Sequence, residues 1–201
     1  MTNKTFKEAL ESRRTYYAIS NESPVSDKEI KEVIDFAVKH VPSSFNSQST
    51  RVVLLLGEHH KKLWNMTKDI LRKIVPAEAF KSTEAKIDAA FLAGYGSILY
   101  FEDQDVIKGL QEMFPTYADN FPIWSQQTSG MHQLAIWTML EELGFGVNLQ
   151  HYNPLIDESV AKEWNIPASW KLIAEMPFGK PLGGPGEKEF KPLEDRIKVF
   201  E

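Results

Sequence analysis

Pro42-Ser43-Ser44-Phe45-Asn46-Ser47-Gln48 is a short polar island between two apolar segments. On its N-terminal side, Ser26-Asp27-Lys28-Glu29 has the spacing of a capping box. Ile30, Val33, Ile34, Ala37 and Val38 then recur at helical spacing, and Pro42 stops the helix they predict. On its C-terminal side, Arg51-Val52-Val53-Leu54-Leu55-Leu56-Gly57 is a continuous apolar run, which predicts a strand covered on both faces. Ser, Asn and Gln side chains carry both donors and acceptors. The island therefore suits a flat heterocycle edged with carbonyls and ring nitrogens. The same residue types also build ordinary helix-to-strand connections.

Toward the N-terminus, Phe6, Ala9 and Leu10 share one helical face within residues 4–14, which end in Arg13-Arg14-Thr15-Tyr16-Tyr17. Two guanidinium forks followed by a hydroxyl suit a phosphate. Two cations also suit a solvated helix C-terminus.

Toward the C-terminus, a helix runs from Glu58 to about Ile74, with Leu63, Thr67, Ile70, Leu71 and Ile74 on one face. His59 and His60 at its start read as solvated surface, because adjacent helical residues do not face each other. Residues 76–93 read as helical, Ser97–Phe101 as a buried strand and Asp105–Met113 as a short helix. The proline-bracketed stretch Phe114–Trp124 is rich in aromatics, which suits either a mobile lid over a flat ligand or a hydrophobic dimer contact. Residues 127–143 form the most hydrophobic helix, with Gly144 as its C-cap. The strand Val147–Tyr152 follows, broken by Asn153-Pro154. Gly144-Phe145-Gly146 follows a helix instead of opening one, so it is not a dinucleotide fingerprint. Then come a short helix over Asp157–Trp164, a strand over Trp170–Met176, and a glycine-rich loop over residues 179–186 that lacks P-loop spacing. Residues 191–200 alternate polar and apolar like an edge strand.

Composition narrows the classes. The chain has 201 residues, enough for one domain with a core of its own, and nothing in it reads as a linker. The net charge of −5 argues against a general nucleic-acid or anionic-membrane binder. Cysteine is absent, which excludes disulfides, thiolate metal sites and thiol catalysis. The charged N-terminal stretch has no apolar signal region, and no apolar run approaches the ~18 residues that span a bilayer. A cytoplasmic protein is expected. No catalytic triad, carboxylate pair or metal cluster is evident.

Three signatures now stand in order: Arg13-Arg14-Thr15, the island Pro-Ser-Ser-x-Asn-Ser-Gln, and Leu143-Gly144-x-Gly146 leading into a polar strand end. In this order they resemble the FMN-dependent nitroreductase family, from about Thr5 to Phe200. Asn148–Pro154 and Pro192-Leu193-Glu194-Asp195-Arg196 are similar to the compact branch of small bacterial and yeast members. The resemblance implies an α+β fold whose mixed or antiparallel central sheet is wrapped by helices, in an intertwined homodimer with FMN at the subunit interface. Residues 1–201 would form a single FMN-binding domain, with the extension 187–201 packed on the partner.

Carried over by motif, Arg13, Arg14, Thr15 and Tyr17 would hold the phosphate and ribityl chain. Pro42, Ser43, Ser44, Asn46 and Gln48 would come from the other subunit to line the ring. Leu149, Gln150 and His151 would lie along the ring, where family members aim a backbone N–H at flavin N5. One of Lys188, Lys191 and Arg196 would complete the phosphate site. Tyr117, Phe121 and Trp124 would roof the substrate pocket.

The implied activity is ping-pong electron transfer from NADH or NADPH, through FMN, to a nitroaromatic or quinone, with no dedicated catalytic side chain. A flavin-binding regulatory or stress-sensing role is the alternative. The sequence departs from many relatives in two places. Ser49-Thr50 stands where they carry Pro-Trp after the island, and His151-Tyr152 where larger members carry Glu-Gly near the flavin.

Overall fold

The computed structural model describes residues 4–201; the first three residues of the charged N-terminal stretch lie outside them. Five strands form the sheet: β1 (Ile19–Ser20), β2 (Thr50–Leu56), β3 (Gly96–Asp103), β4 (Gly146–Val147) and β5 (Trp170–Pro181). The order is β1-β5-β3-β2, with β4 also paired to β5, and every pairing between named strands is antiparallel.

Alternation along β3 explains the layering. Ile98 and Tyr100 enter one core with Ile30, Ile34 and Ala37 of α2 (Asp27–His40) and Ile136 and Leu140 of α6 (Phe121–Glu142). Leu99 and Phe101 enter the opposite core with Leu63, Trp64 and Leu71 of α3 (Glu58–Ile74) and Phe80 and Ile87 of α4 (Ala77–Ile87). Successive side chains on a strand point to opposite faces, so one apolar run feeds two cores and the sheet lies between helical layers. β2 also packs on both, through Val52 and Leu54 on one side and Val53 and Leu55 on the other, although among the described residues its outer edge has no partner strand.

The capping box holds as read: Ser26 Oγ accepts from the Glu29 amide at 3.4 Å and Glu29 Oε2 accepts from the Ser26 amide at 2.9 Å. Gly144 adopts φ +92° where the chain leaves α6. At Gly179, a Cβ would lie 2.1 Å from the Ser20 carbonyl oxygen, so only glycine lets β1 approach β5.

Four expectations are corrected. α6 begins at Phe121 instead of residue 127, because Pro122 sits in its first turn, where a missing N–H costs nothing. Residues 115–120, between α5 (Gln104–Met113) and α6, form 3-10 turns. The strand foreseen over Val147–Tyr152 shrinks to Gly146–Val147 plus an isolated bridge between Gln150 and Glu175. Residues 191–200 are not a strand; they contain a turn closed by Arg196 and Ile197 amides on the Leu193 carbonyl. This tail meets no sheet edge within its own chain, and pattern alone cannot form a ladder. His60, finally, is buried, with its imidazole 2.9 Å from Ser97 Oγ and 3.3 Å from the Leu92 carbonyl. Ser97 accepts from the Trp64 indole at 2.9 Å, so its own proton goes to His60 Nδ1, and His60 Nε2–H faces Leu92. Burial drives that imidazole down to about 4 and keeps it neutral.

Candidate functional site

The arginine pair follows α1 (Phe6–Ser12) and runs beside β4: the Tyr16 amide donates to the Val147 carbonyl at 3.0 Å, and Thr15 bridges Val147. Buried Asn148 locks this arrangement by donating to the Tyr16 and Ala90 carbonyls at 2.9 and 3.2 Å. Arg13, Arg14, Thr15 and Tyr17 consequently line one cavity of about 380 Å³, together with Gly186, Glu187 and Lys188 of the tail. Arg14 donates to the Gly186 carbonyl, and the Arg13 guanidinium stacks 4.6 Å from the Trp137 ring. Burial first, and then the charge of Arg14, depress the Arg13 guanidinium, with Glu141 opposing. Glu141 is already held by Lys4 at 3.0 Å and by Ser12 at 2.9 Å. Two guanidiniums and a lysine line this cavity with Glu187 as its one acidic residue, a donor set suited to an anion. Of the three basic candidates in the tail, only Lys188 reaches the cavity, while Lys191 and Arg196 are exposed outside it.

The island forms a tight turn with an unusual backbone. Phe45, Asn46 and Gln48 have φ of 55°, 52° and 49°. The left-handed region costs a non-glycine residue about 1 kcal/mol or more, so the surroundings must impose it. Ser43 Oγ accepts from the Gln48 amide at 2.9 Å, and Arg51 donates to the Gln48 carbonyl at 2.6 Å and to Asp103 at 3.0 Å. Directly after the island, Ser49 and Thr50 donate to the two oxygens of buried Glu102 at 2.6 and 2.5 Å. The residues that replace Pro-Trp are therefore the island's anchor. Ser43 and Gln48 open onto a cavity of about 580 Å³ bounded by α2, Arg51, His132 and Trp170. Pro42 and Asn46 are exposed, and Ser44 is half-buried.

Phe45 joins the island to the aromatic stretch. Its ring lies 4.8 Å from Phe114, 5.4 Å from Phe121, 6.1 Å from Tyr117 and 6.2 Å from Trp124, nearly parallel to the last. Tyr117 is exposed and Trp124 half-buried, but Phe121 is buried and supports the cluster from below. Phe45 itself was not singled out by sequence; a large aromatic inside a polar island was the available signal.

At the third place, Leu149 packs on the α2/α6 core and the Gln150 side chain donates to Asn148 at 2.9 Å. His151 is exposed beside a cavity of about 510 Å³ that Gln104, Ser125, Gln126, Gln133 and Lys171 also line. Behind this segment lies buried Glu175, a second carboxyl that the apolar pattern of its strand concealed. Within one chain, the arginine segment and the polar strand end are neighbours through β4, whereas the island opens onto a different cavity. Among the described residues no group of three or more acidic or histidine side chains could hold a metal, and no helix is long and apolar enough to cross a membrane.

Several known proteins resemble this chain in sequence and fold. The model of the nitroreductase family matches residues 10–180. Nitroreductase FRM2 of Saccharomyces cerevisiae is 36% identical over 195 residues, covering 96% of this chain and 95% of its own. Nitroreductase CinD of Lactococcus lactis, solved with chloramphenicol, is 47% identical with a TM-score of 0.88, covering 98% of this chain and all of its own. The same protein has been solved with 4-nitrophenol. A protein of Exiguobacterium sibiricum in complex with FMN is 14% identical with a TM-score of 0.74, covering 100% of this chain and 99% of its own, a likeness of fold alone.

Proposed function

The chain belongs to the nitroreductase family and is an oxidoreductase of the nitroreductase type; from that premise we propose that it works as an FMN-dependent NAD(P)H oxidoreductase, active as a homodimer. The observation that carries this reading is the gathering of Arg13, Arg14, Thr15 and Lys188 around one cavity. Closely packed cations call for a dianion, and that donor set fits the phosphate of FMN. When bound, FMN supplies hydride chemistry at its N5 position in a ping-pong cycle, so the protein's task is to bind, orient and exclude water.

Arg13 and Arg14 would hold the phosphate, with Lys188 completing the cradle and Thr15 and Tyr17 toward the ribityl chain. Leu149, Gln150 and His151 would line the ring. The amide of His151, which has no hydrogen-bond partner among the described residues, is the donor available to N5. The island reaches the ring from the second copy, where Pro42, Ser43, Ser44, Asn46 and Gln48 supply the edge contacts. Tyr117 and Trp124 cover the acceptor, a nitroaromatic or quinone, in keeping with the aromatic ligands carried by CinD.

Two surfaces support the homodimer. Phe6, Leu10, Phe36, Met131 and Leu134 are exposed around an apolar groove of about 550 Å³. The tail leaves Phe190, Leu193, Ile197, Val199 and Phe200 more than half exposed. A monomer rarely leaves so much contiguous apolar surface to water, and a second copy covers both. Residues 187–201 accordingly wrap the partner around one domain per chain.

The purified protein should be yellow, and NADH or NADPH should bleach it anaerobically within turnover time. Bleaching by dithionite but by neither nicotinamide sinks the reductase reading. Arg13→Ala together with Arg14→Ala should weaken FMN binding by about 1.5–3 kcal/mol per lost charge-assisted contact. Undiminished FMN retention in that double variant places the phosphate elsewhere.

A further inference from the structure

Glu175 interrupts the apolar run Leu172-Ile173-Ala174-Glu175-Met176 in β5 and is fully buried. Its backbone pairs with Gln150 in both directions: the Gln150 amide donates to the Glu175 carbonyl at 2.7 Å, and the Glu175 amide donates to the Gln150 carbonyl at 2.9 Å. Its side-chain Oε2 accepts from the Tyr152 amide at 2.8 Å. One residue thus holds the amides on both sides of His151. Successive N–H groups of extended backbone point in opposite directions, so this grip turns the His151 amide away from β5.

The other carboxyl oxygen, Oε1, is buried without a partner, as are Asn153 Oδ1 and Asp157 Oδ1 nearby in sequence to the same segment. Asp157 at the start of α7 (Asp157–Glu163) lies close enough to oppose ionisation of Glu175. A protein interior does not sustain a buried, charged carboxylate oxygen with no donor. A protonated carboxyl is uncharged and is itself a donor, so one proton on Glu175 removes the unpaired charge at Oε1.

We propose that Glu175 carries this proton in the working enzyme and is a positioning residue: its Oε2 holds the Tyr152 amide, and with it the aim of the His151 amide, while the proton keeps a buried charge from standing behind the cofactor. The proposal rests on the FMN reading of the Leu149–His151 segment. The titratable groups around Glu175 are the Asp157 carboxyl and the Tyr152 phenol, with Lys171 acting on Asp157 from β5 and the His151 imidazole exposed in the neighbouring position. The remaining walls on the Tyr152 side are the apolar rings of Trp64 and Phe91. Burial, reinforced by Asp157, raises Glu175 to about 8. Above that pH a carboxylate stands behind the flavin-facing strand and disfavours electron-rich, reduced flavin.

The first test needs no cofactor. Infrared spectra of the flavin-free protein at about pH 6 should show a buried protonated carboxyl band that E175Q lacks and that the parent loses as pH rises past about 8. Absence of the band in the parent at about pH 6 overturns the proposal. The second test uses the FMN-loaded protein. Between about pH 6 and pH 9 the parent's flavin potential should show an extra downward break and its affinity for FMN should fall on the order of tenfold, while E175Q shows neither. Identical pH profiles in parent and E175Q overturn the positioning role. If E175Q does not fold, D157N should lower the pH at which the parent's band is lost, and an unmoved band overturns the proton sharing. A colourless protein that refuses FMN defeats the cofactor reading, whereas the infrared band decides the proton independently.

Discussion

Glu102 in β3 and Glu175 in β5 occupy neighbouring strands, are equally inaccessible to water, and each backs one segment of the candidate site. Their partners differ. Both oxygens of Glu102 accept hydroxyl protons from Ser49 and Thr50, with Arg51 favouring its charge, whereas Glu175 has one backbone donor and an unpartnered Oε1. Burial raises both carboxyls above their ordinary value, but the donors around Glu102 oppose that rise, and for Glu175 it reaches about 8. The lesson is that burial alone does not set protonation; the supply of donors does. One strand holds its neighbouring loop through two side-chain hydroxyls, and the other holds its segment through backbone amides.

The largest expected effect falls on Glu175. Its folded-state value of about 8 lies above the ordinary 4.5, so between these values the folded protein keeps a proton that the unfolded chain has released. The Glu175 contribution to stability is then full below about 4.5 and is lost as pH rises to about 8, by on the order of 4 kcal/mol. E175Q, neutral in both states, should lack this loss in urea unfolding, keeping the rise that neutral, buried His60 gives on the acid side, and should be more stable than the parent at the alkaline end. Parallel stability curves for the two proteins would break the contrast.

Next in size is Glu102→Ala, which strands two hydroxyls and leaves a void. It should cost about 3 kcal/mol in urea unfolding at neutral pH. A loss below about 1 kcal/mol would mean that the island is not anchored through Glu102. Smallest is Arg51→Lys. A single ammonium cannot span the Gln48 carbonyl and the Asp103 carboxylate as the guanidinium fork does. A loss of about 1 kcal/mol is expected, because the ion pair is partly open to water. Equal stability of the two proteins would separate the island's strained backbone from Arg51.

Much of this was legible in the residues. The capping box of α2 and the doubly buried β3 each depend on neighbours within one or two turns or on simple alternation, and each is present as read. The start of α6 is not visible in sequence because Pro115 and Pro122 look alike there, though one lies in a 3-10 turn and the other in a first helical turn. His60 resembled surface because its partners Leu92 and Ser97 are more than thirty residues away. The two carboxyls were passed over for the same reason: a single Glu does not weaken an apolar strand pattern enough to announce itself.

Sequence by itself determined which faces are apolar, where α2 begins, and which residue types could meet a phosphate and a flat ring, because periodicity and side-chain chemistry are local properties. Only the tertiary structure decided which buried polar atoms find partners. Ser49 and Thr50 reach Glu102 across 53 and 52 residues, Tyr152 reaches Glu175 across 23, and Oε1 of Glu175 reaches nothing. Hydrogen bonds act over about 3 Å, so the donor supply that distinguishes Glu102 from Glu175 exists only once the strands have been brought together.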